Sequence, residues 1–210
     1  MGVDIISMSW TFKDGDAAPE EREAFRTAIQ QAHSNGIILF NSLNDAEMAN
    51  WEDYWPLKLY HVIRIGSATK WGEKADHSKK TWSDYLFPGQ EIPRRNLNSE
   101  NETVSGSSLA TAYAAGLAAL IIYTARALPC LDPTLSQRDK EKLANSAKRE
   151  GIEKAFRTLG GKPNVTKPQD LFVHPVKHFS NNPDSVAGEI GGTAGKAKVL
   201  NSFLMQLMLL

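Results

Sequence analysis

Val104-Ser105-Gly106-Ser107-Ser108-Leu109-Ala110-Thr111-Ala112 runs almost directly into Ala114-Ala115-Gly116-Leu117-Ala118-Ala119-Leu120-Ile121-Ile122. Small hydroxyl residues before a run of small apolar ones read as a loop turning into a buried helix, with Ser108 in its first turn. The small side chains over Leu109 to Ile122 let such a helix lie close against a sheet. The start of a helix carries free backbone N–H groups and the positive end of its dipole. Both favour a developing negative charge, which is what a serine nucleophile attacking a carbonyl needs. The plainer reading is a capping serine ahead of a core helix, and for Ser-Gly-Ser-Ser standing alone it is the better one.

Working outward, the amino-terminal side alternates strands and helices. Asp4-Ile5-Ile6-Ser7-Met8-Ser9-Trp10 reads as a buried strand of a parallel sheet. Pro19-Glu20-Glu21 suits a helix first turn, and Ala24, Phe25, Ala28, Ile29 and Ala32 recur at helical spacing until Asn35-Gly36 stops them. Gly36-Ile37-Ile38-Leu39-Phe40 is a second strand, parallel to the first through a right-handed crossover. Trp51 to Pro56 reads as a surface loop and His61 to Ala68 as a third strand. Lys70 to Lys80 is a polar loop, and Trp82 to Phe87 leads into Pro88-Gly89. In open α/β sheets, ligand groups gather at the carboxyl ends of strands. The second strand ends in Asn41-Ser42-Leu43-Asn44-Asp45. An asparagine amide there can donate to an oxyanion, a contribution of about 3–4 kcal/mol to the transition state. Asn and Asp are equally ordinary turn residues.

Gly106-Ser107-Ser108-Leu109-Ala110-Thr111-Ala112, followed by Ala115-Gly116, resembles the Gly-Thr-Ser-Met-Ala-Thr-Pro signature of subtilisin-like serine peptidases. Ser108 falls on the nucleophile. Ala112 replaces a proline that would preset the early helix. Aligning Gly36-Ile37-Ile38-Leu39-Phe40 on the family's Gly-Val-Val-Val run places Asn44 at the oxyanion-hole asparagine and Asn41 at a small-residue position. Bulky Leu43 stands where the family has glycine or serine. The Ile6-Ser7-Met8-Ser9 strand, the Asn44 loop, the Phe87-Pro88-Gly89 turn and the Ser108 helix occur in family order, so the resemblance covers Val3 to Ala125. It implies a three-layer α/β fold on a parallel sheet, acyl-enzyme proteolysis of a peptide or protein substrate, and neither cofactor nor metal. After its Met-Ser strand the family has a glycine-rich segment that pairs with the substrate main chain. Here that segment is Trp10-Thr11-Phe12, whose two aromatics crowd the specificity pocket.

A serine nucleophile needs a base, and the base an orienting acid. In the family both precede the Ile-Ser-Met-Ser strand, in an Asp-Thr-Gly-like turn and a His-Gly-Thr motif. No His-Gly pair occurs in this chain, and His33, His61, His77, His174 and His178 read as surface or packing residues. The expectation is therefore the carboxyl-terminal half of a peptidase domain, its amino-terminal strands absent and its missing half a partner. It carries Ser108 and Asn44 but no catalytic Asp or His, and it is inactive in isolation. Two other readings stand beside it. One is a non-catalytic remnant that binds or regulates. The other is a hydrolase in which Gly106-Ser107-Ser108-Leu109-Ala110 approximates a Gly-x-Ser-x-Gly elbow with Asp170 and His174 downstream. The polar Asn98-Ser99-Glu100-Asn101-Glu102 ranks that last, because an elbow needs a buried strand before it.

Lys plus Arg and Asp plus Glu are 24 each in 210 residues, which gives no electrostatic case for nucleic acid or an anionic membrane. Leu109 to Ile122 reads as too short and Ala-rich to span a bilayer. One cysteine, Cys130, and no visible signal peptide favour the cytoplasm. Pro129-Cys130-Leu131-Asp132-Pro133 ends the serine helix. Ser136 to Arg149 is a charged helix that Gly151 separates from Ile152 to Arg157. Residues 1–159 form the peptidase-like domain. Residues 160–210 form a Gly-, Pro- and Asn-rich, mostly irregular linker with a short apolar tail.

Overall fold

A computed structural model of the chain describes residues 2–43, 51–76, 82–96, 99–162, 165–166, 168–175 and 201–204. In chain order they form β1 (Ile5–Met8), β2 (Phe12–Lys13), α1 (Pro19–Ser34), β3 (Ile38–Ser42), β4 (Tyr54–Trp55), β5 (Val62–Ala68), β6 (Tyr85–Pro88), β7 (Ile92–Asn96), β8 (Ser99–Val104), α2 (Ser107–Leu131), α3 (Gln137–Ser146), α4 (Arg149–Leu159) and β9 (Leu171–Phe172). They divide into two compact units, Met1–Gly116 with Lys167–Phe172, and Leu117–Thr166 with Val173–Leu210.

In the first unit the apolar runs become one parallel sheet, in the order β1-β3-β5-β6-β9. Ile5 pairs with Ile38, Leu39 with Val62, and Ile65 with Tyr85. β3 is buried at every position and β5 at all but Arg64, which is why both read as unbroken apolar segments rather than alternating ones. α1 lays Ile29 onto Met8, Leu39 and Val62, with Phe25 and Ala32 packed around them. Its first turn is closed by the Glu21 carboxylate, which accepts from the Ala18 amide at 2.8 Å.

Trp51 to Pro56 is not a surface loop. Glu52 and Asp53 face solvent, but Trp55 is buried, and β4 pairs antiparallel with β2, Phe12 opposite Trp55. The acids mark one side of the segment and the aromatics the other. Within the stretch read as irregular, Leu171–Phe172 supplies the fifth strand, β9. Asp170 fixes it: its amide donates to the Ser83 carbonyl at 2.7 Å. Its carboxylate accepts from the Ser83 amide and hydroxyl at 2.7 and 2.8 Å and from Lys74 Nζ at 2.9 Å. A strand two residues long has no period to read.

α2 continues past Ile122 and through Pro129 to Leu131. A proline in the last turn forfeits a single helical hydrogen bond, and the helix stops where Pro133 disfavours helical geometry for Asp132. At 25 residues α2 is long and apolar enough to cross a membrane by length and composition alone, so the argument from shortness fails. Ala110, Ala114, Ala118, Ile121, Ala125 and Leu128 are buried at helical spacing along one face, together with Ser107, Thr111, Ile122 and Thr124, while Tyr113, Leu120 and Tyr123 are exposed.

In the second unit the break between α3 and α4 falls at Ala147–Lys148, not at Gly151. Ser136 caps α3, accepting from the Asp139 amide at 3.1 Å. Gly151 lies inside α4, and a Cβ there would stand 2.5 Å from Cα and the carbonyl oxygen of Ser146. The glycine permits close packing of α4 on the end of α3 rather than ending a helix. Of the apolar tail, residues 201–204 are helical; residues 176–200 and 205–210 lie outside the described residues.

Candidate active site

α2 opens at Ser107, as the reading of Val104 to Ile122 requires, and its first turn is tied to the carboxyl ends of the sheet strands. The Gly106 amide donates to the Gly89 carbonyl at 2.7 Å, just beyond β6. The Gly89 amide donates in turn to the Ala68 carbonyl at the end of β5, at 3.0 Å. The Ser107 hydroxyl donates to the carbonyl of Leu43, just beyond β3. Ser107 is buried, whereas Ser108 beside it is exposed. One serine anchors the helix start and the next presents its hydroxyl to solvent, at the end of the sheet where α/β enzymes place their chemistry. The anchoring role of Ser107 was not visible in the sequence, since nothing local distinguishes the two serines.

Gly89, which the sequence marks only as the end of the Phe87-Pro88-Gly89 turn, has a packing role as well. A Cβ there would meet Ser67 Oγ at 2.5 Å, the Gly106 carbonyl oxygen at 2.8 Å and Ala110 Cβ at 3.1 Å. Only a glycine lets the loop before α2 rest directly on the strand ends.

The two candidate asparagines part company. Asn41 is buried on β3, and its amide donates to the carbonyls of Met8 and Trp10, both at 3.0 Å. Those donors tie the end of β1 to β3 and leave the amide committed to the main chain. Asn44 lies outside the described residues; Leu43, the last described residue before it, is buried and holds the Ser107 hydroxyl.

The Trp10-Thr11-Phe12 segment carries an aromatic stack. Phe12 lies nearly parallel to Trp55, with centroids 6.1 Å apart, and Trp10 stacks on Phe12 at 6.2 Å. Phe25 meets Phe12 edge-on at 5.6 Å. The rings therefore pack onto α1 and β4, and half of Trp10 remains exposed.

Residues 1–160 match the sequence profile of the subtilase family. The chain belongs to the subtilase family. A curated relative, Subtilisin-like protease 2 of Pseudogymnoascus destructans, is 30% identical over 103 residues, which span 47% of this chain and 25% of that protein. Among solved structures, the prenylagaramide maturation protease PagA is similar with a TM-score of 0.49 and 21% identity over 76% of this chain and 52% of that one. The self-cleaved protease domain of PatA is similar with a TM-score of 0.49 and 17% identity over 96% of this chain and 63% of that one. The chain thus spans about half to two thirds of these solved structures and a quarter of the curated relative.

For a subtilase the next question is the base. His33 lies in the last turn of α1 and His61 precedes β5, with their rings 4.3 Å apart. Both therefore sit at the amino ends of the strands, whereas Ser107 and Ser108 sit at the carboxyl ends. A strand of several residues rises about 3.3 Å per residue, so this pair is out of reach of Ser108. His77 and His178 lie outside the described residues. The hydrolase-elbow reading loses its support here. β8, the strand before Ser107, pairs with β7 in a separate two-stranded ribbon rather than in the parallel sheet, and the Asp170 carboxylate is engaged by Lys74 and Ser83. Among the described residues, no group of three or more His, Cys, Asp or Glu side chains stands together as metal ligands.

Proposed function

We propose that this subtilase chain carries the nucleophile and oxyanion half of a serine endopeptidase site, with Ser108 as nucleophile and Asn44 as oxyanion donor. The observation that carries the reading is the bond from Ser107 to Leu43, because those residues immediately precede Ser108 and Asn44 in sequence. In the proposed reaction Ser108 Oγ attacks the scissile carbonyl while a base removes its proton. The tetrahedral oxyanion is held by the Asn44 side-chain amide and the Ser108 main-chain amide at the start of α2. Collapse expels the amine, which takes the proton back from the base, and water then releases the acyl group.

Base and orienting acid come, in this reading, from outside the 210 residues. The amino-terminal half of the domain is then the partner that completes the site, and a peptide or protein is the substrate. Without a base the Ser108 hydroxyl stays protonated at neutral pH. At most about 10³–10⁴-fold acceleration over water remains, from the oxyanion hole and binding. One observation favours the alternative, a non-catalytic binding or regulatory module: Trp10 and Phe12, in the segment that in the family pairs with the substrate main chain, are engaged in a stack that continues onto Trp55.

The test is complementation. The 210-residue chain is produced together with an upstream half bearing the Asp and His motifs, and hydrolysis of a fluorogenic peptide is measured. The reading expects turnover that Ser108→Ala abolishes. A folded, complemented domain without turnover overturns it in favour of the binding module.

A further inference from the structure

A second feature of the first unit has no part in that chemistry. A cavity of about 350 Å³ opens beside α1, lined by Asp14, Arg22, Glu23, Arg26, Trp55 and Lys58, with Pro19 at its rim. Three cationic side chains line it, and two of them, Arg26 and Lys58, lie over one indole. Lys58 Nζ lies 4.6 Å from the centre of the Trp55 ring and the Arg26 guanidinium 5.3 Å, both within cation–π range. Arg22 donates a hydrogen bond to the main-chain carbonyl of Asp14, a neutral acceptor. Asp14 is the anion already in place. Its carboxylate takes Lys58 Nζ at 2.7 and 2.8 Å and the Trp55 indole N–H at 2.5 Å. Glu23 pairs with Arg26 at 3.5 Å, with both side chains substantially exposed. The lining thus holds three cations against two carboxylates, and one of those carboxylates sits in a loose, solvent-screened pair that a ligand can displace.

We propose that this cavity binds a small anionic group, a phosphate or a carboxylate, between Arg22, Arg26 and Lys58. Asp14 shows how the site receives an oxyanion: the Lys58 ammonium and the indole N–H already converge on one carboxylate. An arriving anion takes the guanidiniums of Arg22 and Arg26, whose forked donors match two oxygens at once. The aromatic face of Trp55 holds the cations in place while the anion is absent. The free ion and an acidic side chain of a peptide share this chemistry, and the probes separate them.

Indole N–H resonances of the full 210-residue chain report binding, with the Trp55 signal identified by its loss in Trp55→Phe. Inorganic phosphate, citrate and a short acetylated Asp-containing peptide are titrated separately against sodium chloride at matched ionic strength. The expected result is a saturable shift of the Trp55 signal alone with phosphate or citrate, or with the peptide if the source is a protein. Arg22→Gln and Arg26→Gln each weaken it about five-fold, the scale of one exposed charge-assisted contact. Glu23→Gln tightens it, because it removes the competitor for Arg26 while leaving every cation. This last variant changes an exposed side chain and tests the site without threatening the fold. No saturable shift with any of the three probes, a shift matched by chloride, or one indifferent to Arg22→Gln, Arg26→Gln and Glu23→Gln overturns the proposal.

Discussion

The Ser107 hydroxyl donates to the main-chain carbonyl of Leu43, joining the start of α2 to the end of β3 inside the first unit. Both residues are about 1% exposed. Neighbouring serines therefore have opposite environments, and their removal has opposite consequences. Ser107→Ala deprives a buried carbonyl of this donor and is expected to cost about 1–3 kcal/mol. Ser108→Ala, at an exposed position, stays within about 0.5 kcal/mol of the parent. Urea denaturation of the two variants checks the contrast; equal effects would mean that the Ser107 bond does not anchor the helix.

Two glycines give the second contrast. Gly89→Ala drives a methyl into Ser67, the Gly106 carbonyl and Ala110. Overpacking of this kind costs about 1–3 kcal/mol. In the complemented enzyme it should also lower kcat by displacing Ser108. Gly116 is exposed on α2, and a methyl group there would meet nothing within 4 Å. Gly116→Ala should therefore stabilise the chain by about 0.5–1 kcal/mol through helix propensity. Thermal unfolding of both variants is the measurement.

Arg64 is the one position of β5 that is not buried, yet its charge is well housed. Its guanidinium lies 4.5 and 4.3 Å from the ring centres of Trp51 and Trp82, and its Nε and Nη2 donate to Asp84 at 3.1 and 3.0 Å. Asp84 also accepts from the Arg64 amide at 2.8 Å. Asp84→Ala strips the guanidinium of its partner and should cost about 3 kcal/mol. Arg64→Lys should recover little of what Arg64→Ala loses, since an ammonium lacks the fork and the flat face. Denaturant midpoints for the three variants decide it.

Asp14 gives the pH prediction. The hydrogen bond from Lys58, then that from the Trp55 indole, holds its carboxyl below the usual aspartate value. A depressed folded pKa means that the stabilisation is present above the unfolded pKa and is lost as pH falls through the folded one. The Asp14 contacts should therefore persist at neutral pH and fail only on acidification below the ordinary aspartate range. Lys58→Gln should raise the titration midpoint of Asp14, read from its carboxyl carbon by NMR. An unchanged midpoint contradicts the assignment of Lys58 as the main cause.

What sequence reading captured follows from how each element signals itself. β3, β5 and β6 are strands buried in a parallel sheet and appear as apolar runs; β1, read as buried too, is the edge strand, with only Met8 buried and Ser7 exposed. α1 repeats its apolar residues at helical spacing between a proline start and a glycine stop. The Ser107–Ser108 turn was legible because small hydroxyl residues stand directly before a long apolar helical run. The failures share a cause too. Gly151 and Pro129 were read as breakers, but a glycine also serves close packing, and a proline in a last turn costs one bond. Trp55 was misplaced because its acidic neighbours masked the inward side of β4. The two-residue β9 depends on Asp170 reaching Ser83 and Lys74, contacts between residues some 87 and 96 positions apart that no local window contains.

The most direct measurement of the central claim is labelling of Ser108 by a serine-directed fluorophosphonate, for the 210-residue chain alone and together with the upstream half of the domain. The account predicts slow labelling alone, because no base activates the hydroxyl. It predicts rapid labelling on complementation, lost in Ser108→Ala and retained in His174→Ala. Rapid labelling of the chain alone that disappears in both variants would contradict it, placing the base within these residues and reviving the hydrolase-elbow chemistry of Ser108 and His174.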